Sequence, residues 1–113
     1  MKKKKKYTFG WEEVTIKTEP GYGGYFMMPN NVIVIRLSGT WEQTVAVFLH
    51  EAMEWQMSRN KSRFNVTEDL GKDVHSYMFM MSHPVFSDCC AKVAELWTEC
   101  EKDLKRVWKK EQK

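Results

Sequence analysis

Three ionisable residues interrupt an otherwise apolar run, Val45-Ala46-Val47-Phe48-Leu49-His50-Glu51-Ala52-Met53-Glu54-Trp55. On a helix, residues four apart share one face a turn apart, so His50 and Glu54 project side by side and Glu51 lies about 100° around the cylinder. An imidazole and a carboxylate are thereby aimed at one point, a pairing suited to a divalent metal. On the same wheel Trp41, Val45, Phe48, Ala52 and Trp55 fall on the far side, and Leu49, Met53 and Met57 fill one flank. A helix apolar nearly all round is expected to be central and largely buried. Buried carboxylates are costly unless paired or bound to a cation, so Glu51 and Glu54 call for a partner.

A catalytic zinc site uses three protein ligands and keeps one position for water, whose pKa falls towards ~7. His50 and Glu54 supply two ligands from one helix, and Glu51, beside the first, would serve as general base, as the Glu of HExxH does. The third ligand must come from elsewhere. His75 is preferred because it falls inside a predicted helix; His83, directly before Pro84 at a helix end, is the second candidate.

The elements that must position these residues are legible in outline. Residues 12–19 alternate weakly through Val14 and Ile16, as a half-exposed strand does. Pro20-Gly21-Tyr22-Gly23-Gly24 is a turn or mobile loop whose tyrosines could rim a site, with Tyr22 or Tyr25 as oxyanion helpers. Residues 25–28 and the β-branched 32–37 read as two further strands joined by a turn at Pro29-Asn30-Asn31, paired as a hairpin. Thr40-Trp41-Glu42-Gln43 fits a capping box, so the central helix is expected from Trp41 to Ser58 or Arg59, with Asn60 as its stop. A second helix is predicted over 71–81, closed by His83-Pro84, and a third with Ser87 as its cap. Phe86, Cys89, Cys90, Val93, Trp97, Cys100, Leu104 and Val107 form the third helix's apolar stripe. The expected fold is therefore α+β: about three strands followed by three helices, with the central helix packed on the sheet.

Strands, a capped turn and then a helix carrying an apolar run into His-Glu resemble the core of zincin-type metallopeptidases. Leu49-His50-Glu51-Ala52-Met53-Glu54 matches their HExxH at all but the last position. The chain looks more like small single-domain zincin-like proteins, many encoded by phages and mobile elements, that carry HExxE on this helix and a histidine on the next. That resemblance implies His50, Glu54 and His75 as zinc ligands, Glu51 as base, and a protein or peptide substrate. Glu54 stands where HExxH has its second histidine, so the resemblance also admits a catalytically inactive binding protein, such as a phage-encoded modulator of a host protein.

Composition narrows the remaining classes. At 113 residues the chain is one domain, read as a disordered basic tail over 1–8 and a single domain over 9–113. The net charge of +3 includes five lysines at positions 2–6, without which the balance is −2. The basic character is thus assigned to the tail, and nucleic acid is retained only as a weak option resting on it. The basic start runs into Tyr7-Thr8-Phe9-Gly10-Trp11 rather than an apolar core. No stretch approaches the ~20 apolar residues of a membrane span, so a cytoplasmic protein without a membrane partner is expected. Three cysteines, two of them adjacent, give neither a disulfide framework nor a CxxC metal pattern. Gly21-Tyr22-Gly23-Gly24 precedes a strand rather than a helix, which excludes a phosphate loop, and there is no GxSxG. Cys89 as a thiol nucleophile is disfavoured by its place on the apolar stripe. Against all metal readings stands a hydrogen-bonded core histidine, with Glu51 and Glu54 paired to Arg36, Arg59 or Lys72.

Overall fold

The computed structural model describes the backbone of residues 3–60, 63–65 and 77–113 and the side chains of residues 6–60 and 80–113. The chain runs β1 (Lys3–Phe9), β2 (Glu12–Glu19), β3 (Gly24–Met27), a 3-10 turn (Met28–Asn30), β4 (Val32–Arg36), α1 (Trp41–Arg59), β5 (Arg63–Asn65), β6 (Tyr77–Phe79) and α2 (His83–Glu111). The α+β class holds, but its details do not. The main sheet has four strands in the order β1-β2-β4-β3, β5 and β6 form a separate two-stranded antiparallel pair, and two helices are described rather than three.

β4, rich in Val and Ile, is buried through its middle and occupies an interior position, as β-branched side chains favour. It pairs antiparallel with β3 and parallel with β2, Ile16 opposite Ile33 and Thr18 opposite Ile35. The parallel pairing arises because β3 goes to the outer edge and β4 then returns between β2 and β3. Asn31, in the left-handed region at φ 52°, makes that return, and its carbonyl accepts from Thr15 N. One face of the sheet carries Tyr7, Phe9, Val14, Ile16, Ile33 and Ile35. These close the core with Phe48, Ala52 and Trp55 of α1 and Val93, Leu96, Cys100 and Leu104 of α2.

Three expectations need correction. Residues 3–8, expected within a disordered tail, lie in β1, paired in register with β2 from Lys3 opposite Thr18 to Phe9 opposite Glu12. Tyr7 and Phe9 are buried at alternate positions, and that anchors the strand. The helix predicted over 71–81 is contradicted at Tyr77–Phe79, which is strand; 71–76 lie outside the described residues. His83-Pro84 begins a helix instead of ending one: Ser82 is the N-cap, its hydroxyl accepting from Val85 N at 3.4 Å, and Pro84 occupies the first turn, where its missing N–H costs nothing.

α1 follows its local signals. The Thr40 hydroxyl accepts from Gln43 N at 3.1 Å and the Gln43 side chain accepts from Thr40 N at 2.8 Å, both halves of a capping box, and Asn60 closes the far end. The helix packs on the sheet as expected but is not buried all round. Thr44, Phe48, Glu51, Ala52, Trp55 and Gln56 are buried, whereas Ala46, Leu49 and His50 are exposed. α2 runs alongside it, with Trp41 against Trp97 and Trp108, and Phe48 against Trp97. Trp108 Nε1 donates to the Gly39 carbonyl and the Gln112 side chain to that of Leu37, so the end of α2 is tied to the start of α1. No helix among the described residues is long and apolar enough to cross a membrane.

Candidate functional site

The flank of α1 carrying Val47, Glu51 and Glu54 lies between about 40° and 100° from His50, on the side where the helix meets β3. Gly24 creates the contact. A Cβ at that position would stand 2.5 Å from the Val34 carbonyl oxygen, 2.8 Å from Val47 Cγ1 and 3.5 Å from Glu51 Cγ. Only glycine lets the edge strand come this close to the helix. One pleat further, Phe26 meets the ring of Trp55 edge-on at 5.6 Å. The alternate residue Tyr25 therefore faces away from α1, beneath the Arg36 guanidinium at 5.1 Å, which removes it as an oxyanion helper at this site.

Two of the three expected ligands meet. His50 Nε2 is 4.0 Å from Glu54 Oε2 and 3.8 Å from Glu51 Oε2, separations too long for hydrogen bonds. The His50 side chain is 65 % exposed, Glu54 18 % and Glu51 10 %, so the group runs from an open imidazole down to a carboxylate enclosed against β3. Two metal–ligand bonds of about 2.1 Å span at most about 4.2 Å. Around a tetrahedral zinc two such donors stand about 3.4 Å apart, so His50 and Glu54, now at 4.0 Å, would have to close further to share one ion.

His75 lies outside the described residues. His83, the alternative, is exposed at the first position of α2 and does not join the pair, since no group of three or more His, Cys, Asp or Glu among the described residues could hold a metal. Two of the cations weighed as partners for the carboxylates, Arg36 and Arg59, make their described bonds to other groups. Arg36 Nε donates to Glu19 at 3.1 Å, and Arg59 Nε donates to Glu12 at 2.9 Å while its Nη2 reaches Asn31; Lys72 is outside the described residues.

The glycine-rich turn is held rather than mobile. Gly21 N donates to the Ser38 hydroxyl at 2.7 Å, Ser38 N to the Gly21 carbonyl, and Arg36 N to the Gly23 carbonyl, with Gly21 and Gly23 both at positive φ. Tyr22 stands 73 % exposed at its tip. Cys89 is buried and accepts from Asn60 Nδ2 at 3.3 Å, and burial pushes its thiol pKa up, the opposite of what an activated nucleophile needs. Gly24 is the residue that sequence reasoning missed. In sequence it groups with the turn, although a glycine that opens a strand beside apolar residues is also the mark of a close backbone approach. Compared with protein-family models, with curated proteins and with solved structures, the chain matches none.

Proposed function

We propose that the chain is a zincin-like, zinc-dependent hydrolase acting on protein or peptide in the cytoplasm, with His50, Glu54 and His75 as the metal ligands and Glu51 as general base. The observation that carries this reading is the convergence of His50 Nε2 on two carboxylates within 4.0 Å, on the helix flank that borders an edge strand. A zinc ion in such a site supplies Lewis-acid polarisation of a carbonyl and makes water acidic near neutral pH. His50 and Glu54 would be two of the ligands holding that ion. Glu51, held by the packing of Gly24 and Val47, takes the proton from the attacking water and returns it to the leaving amine. An extended peptide laid beside β3 would be positioned by main-chain hydrogen bonds to that edge.

Metal analysis of the purified protein tests this. About one zinc per chain is expected, lost in His50→Ala and Glu54→Ala and retained in Glu51→Gln, which abolishes hydrolysis of a casein or peptide substrate. Protein that retains no metal, with thermal stability indifferent to a chelator and to His50→Ala, overturns it. The enclosure of Glu51, 10 % exposed against β3, favours a second reading: a binding protein on the same scaffold, of phage type, that has no hydrolytic step. In that case Glu51→Gln leaves function intact and changes at the exposed Tyr22 remove it.

A further inference from the structure

In sequence, the positive charge of this chain is concentrated near its two termini. Residues 2–6 and 102–113 hold eleven of the eighteen Lys and Arg but only two of the fifteen Asp and Glu, leaving seven basic against thirteen acidic residues everywhere else. Far apart in sequence, β1 from Lys3 onward and the C-terminal half of α2 are brought together by the fold. Gly10 abuts Lys92, Thr8 N donates to Glu99 at 3.4 Å, and the Tyr7 hydroxyl donates to Asp103 at 2.8 Å. β1 and α2 are therefore antiparallel neighbours, and the strand continues from Tyr7 back through Lys6 to Lys3 along the helix beyond Asp103.

On α2 itself Lys102, Lys105, Arg106 and Lys109 recur at helical spacing in a stripe about 10 Å long, with Lys113 just past the helix end. All but Lys105 are exposed, and four of the five line a shallow groove together with Glu101. Helix-dipole stabilisation accounts for cations in the last turn, Lys109 and Lys110, but Lys102 lies two turns earlier. Lysines on an edge strand discourage edge-to-edge pairing, but that role does not require a matching basic stripe on a neighbouring helix.

We infer that this joint face of β1 and the C-terminal half of α2 binds duplex nucleic acid through its phosphates, without reading bases. Among the described residues of this face the recognition chemistry is charge. The apolar side of α2 is committed to the core through Leu104 and to the Trp41 cluster through Trp97 and Trp108, so nothing apolar is left there to enter a bilayer. The large apolar side chains that are exposed, such as Trp11, Met80 and Phe86, belong to other segments. Single-strand binding draws on aromatic platforms, and the aromatic rings nearest the stripe, Trp41 and Trp108, are packed against each other.

Fluorescence anisotropy of a random-sequence duplex of about 20 base pairs tests the inference with the full chain. With about five phosphates engaged, affinity should fall roughly 500-fold between about 50 and 200 mM salt. The triple variant Lys102→Gln, Lys109→Gln, Lys113→Gln, which touches no described ion pair, should weaken binding at least about tenfold. It should also flatten the salt slope by about three, with an unchanged melting curve. Absence of binding at low salt, binding indifferent to the triple variant, or tighter binding to oligo(dT) or to phosphatidylserine vesicles than to the duplex would each overturn it.

Discussion

The two edges of the main sheet are held by different physics. β3 is short, carries no charged residue, and is fastened to α1 by contact alone, through the missing Cβ of Gly24 and the ring of Phe26 on Trp55. β1 is long and lysine-rich, and is fastened to α2 by apolar burial of Tyr7 and Phe9 plus two polar links, Tyr7 to Asp103 and Thr8 to Glu99. An edge held by shape has no titratable part, whereas an edge held partly by a phenol and a carboxylate does. The candidate metal site borders the first edge and the basic face borders the second. Damage to one edge should accordingly leave the other's activity standing.

The largest effect should come from Gly24→Val. The Val34 oxygen in its way is backbone and cannot yield, so β3 must leave the sheet or α1 must shift, at a cost of about 3 kcal/mol or more. Urea unfolding should show it, along with loss of zinc from whatever protein remains folded. Phe26→Ala should cost about 2 kcal/mol, since the ring is only partly buried, and should leave duplex binding unchanged in the anisotropy assay. If Phe26→Ala weakens duplex binding as much as it lowers stability, the two edges are not independent. Thr40→Ala removes one half of the capping box and should cost about 1 kcal/mol, read as a lower urea midpoint.

The same contrast separates what was legible in the sequence from what was not. α1 was legible to within a residue because its ends are set locally, by Thr40 with Gln43 and by Asn60, and β2 to β4 were legible in outline because their alternation and β-branching are local too. β1 was hidden because lysine at every position from 2 to 6 masks the period-two pattern that Tyr7 and Phe9 complete only next to β2. The dipeptide His83-Pro84 is ambiguous, as proline both closes one helix and suits the first turn of another, and Ser82 decides it. The pairing of His50 with Glu54 follows from helical spacing. The depth of Glu51 does not, because it depends on a strand arriving from elsewhere at Gly24. The basic face was divided between two segments whose closeness no local pattern encodes.

The smallest effect, and the one that isolates the polar edge, is Tyr7→Phe. The Tyr7 hydroxyl is pushed well above the usual phenol range, first by burial and then by its hydrogen bond to Asp103 and that carboxylate's charge. Cys100, buried beside it and also facing Asp103, is pushed up to about 12. Both groups hold their protons in the folded chain at pH values where the unfolded chain has released them. Their contribution is complete below the ordinary thiol and phenol values of about 8.5 and 10 and is lost as pH rises beyond them. Stability at neutral pH should fall by about 1 kcal/mol in Tyr7→Phe, the value of one part-buried hydrogen bond. Between pH 9 and 12, however, the variant should lose stability less steeply with pH than the parent, because one of the raised alkaline-titrating groups is gone. Thermal melts across that range would show the two curves converging. Parallel curves would mean that Tyr7 shares no titration with the edge it anchors, and that β1, like β3, is held by shape.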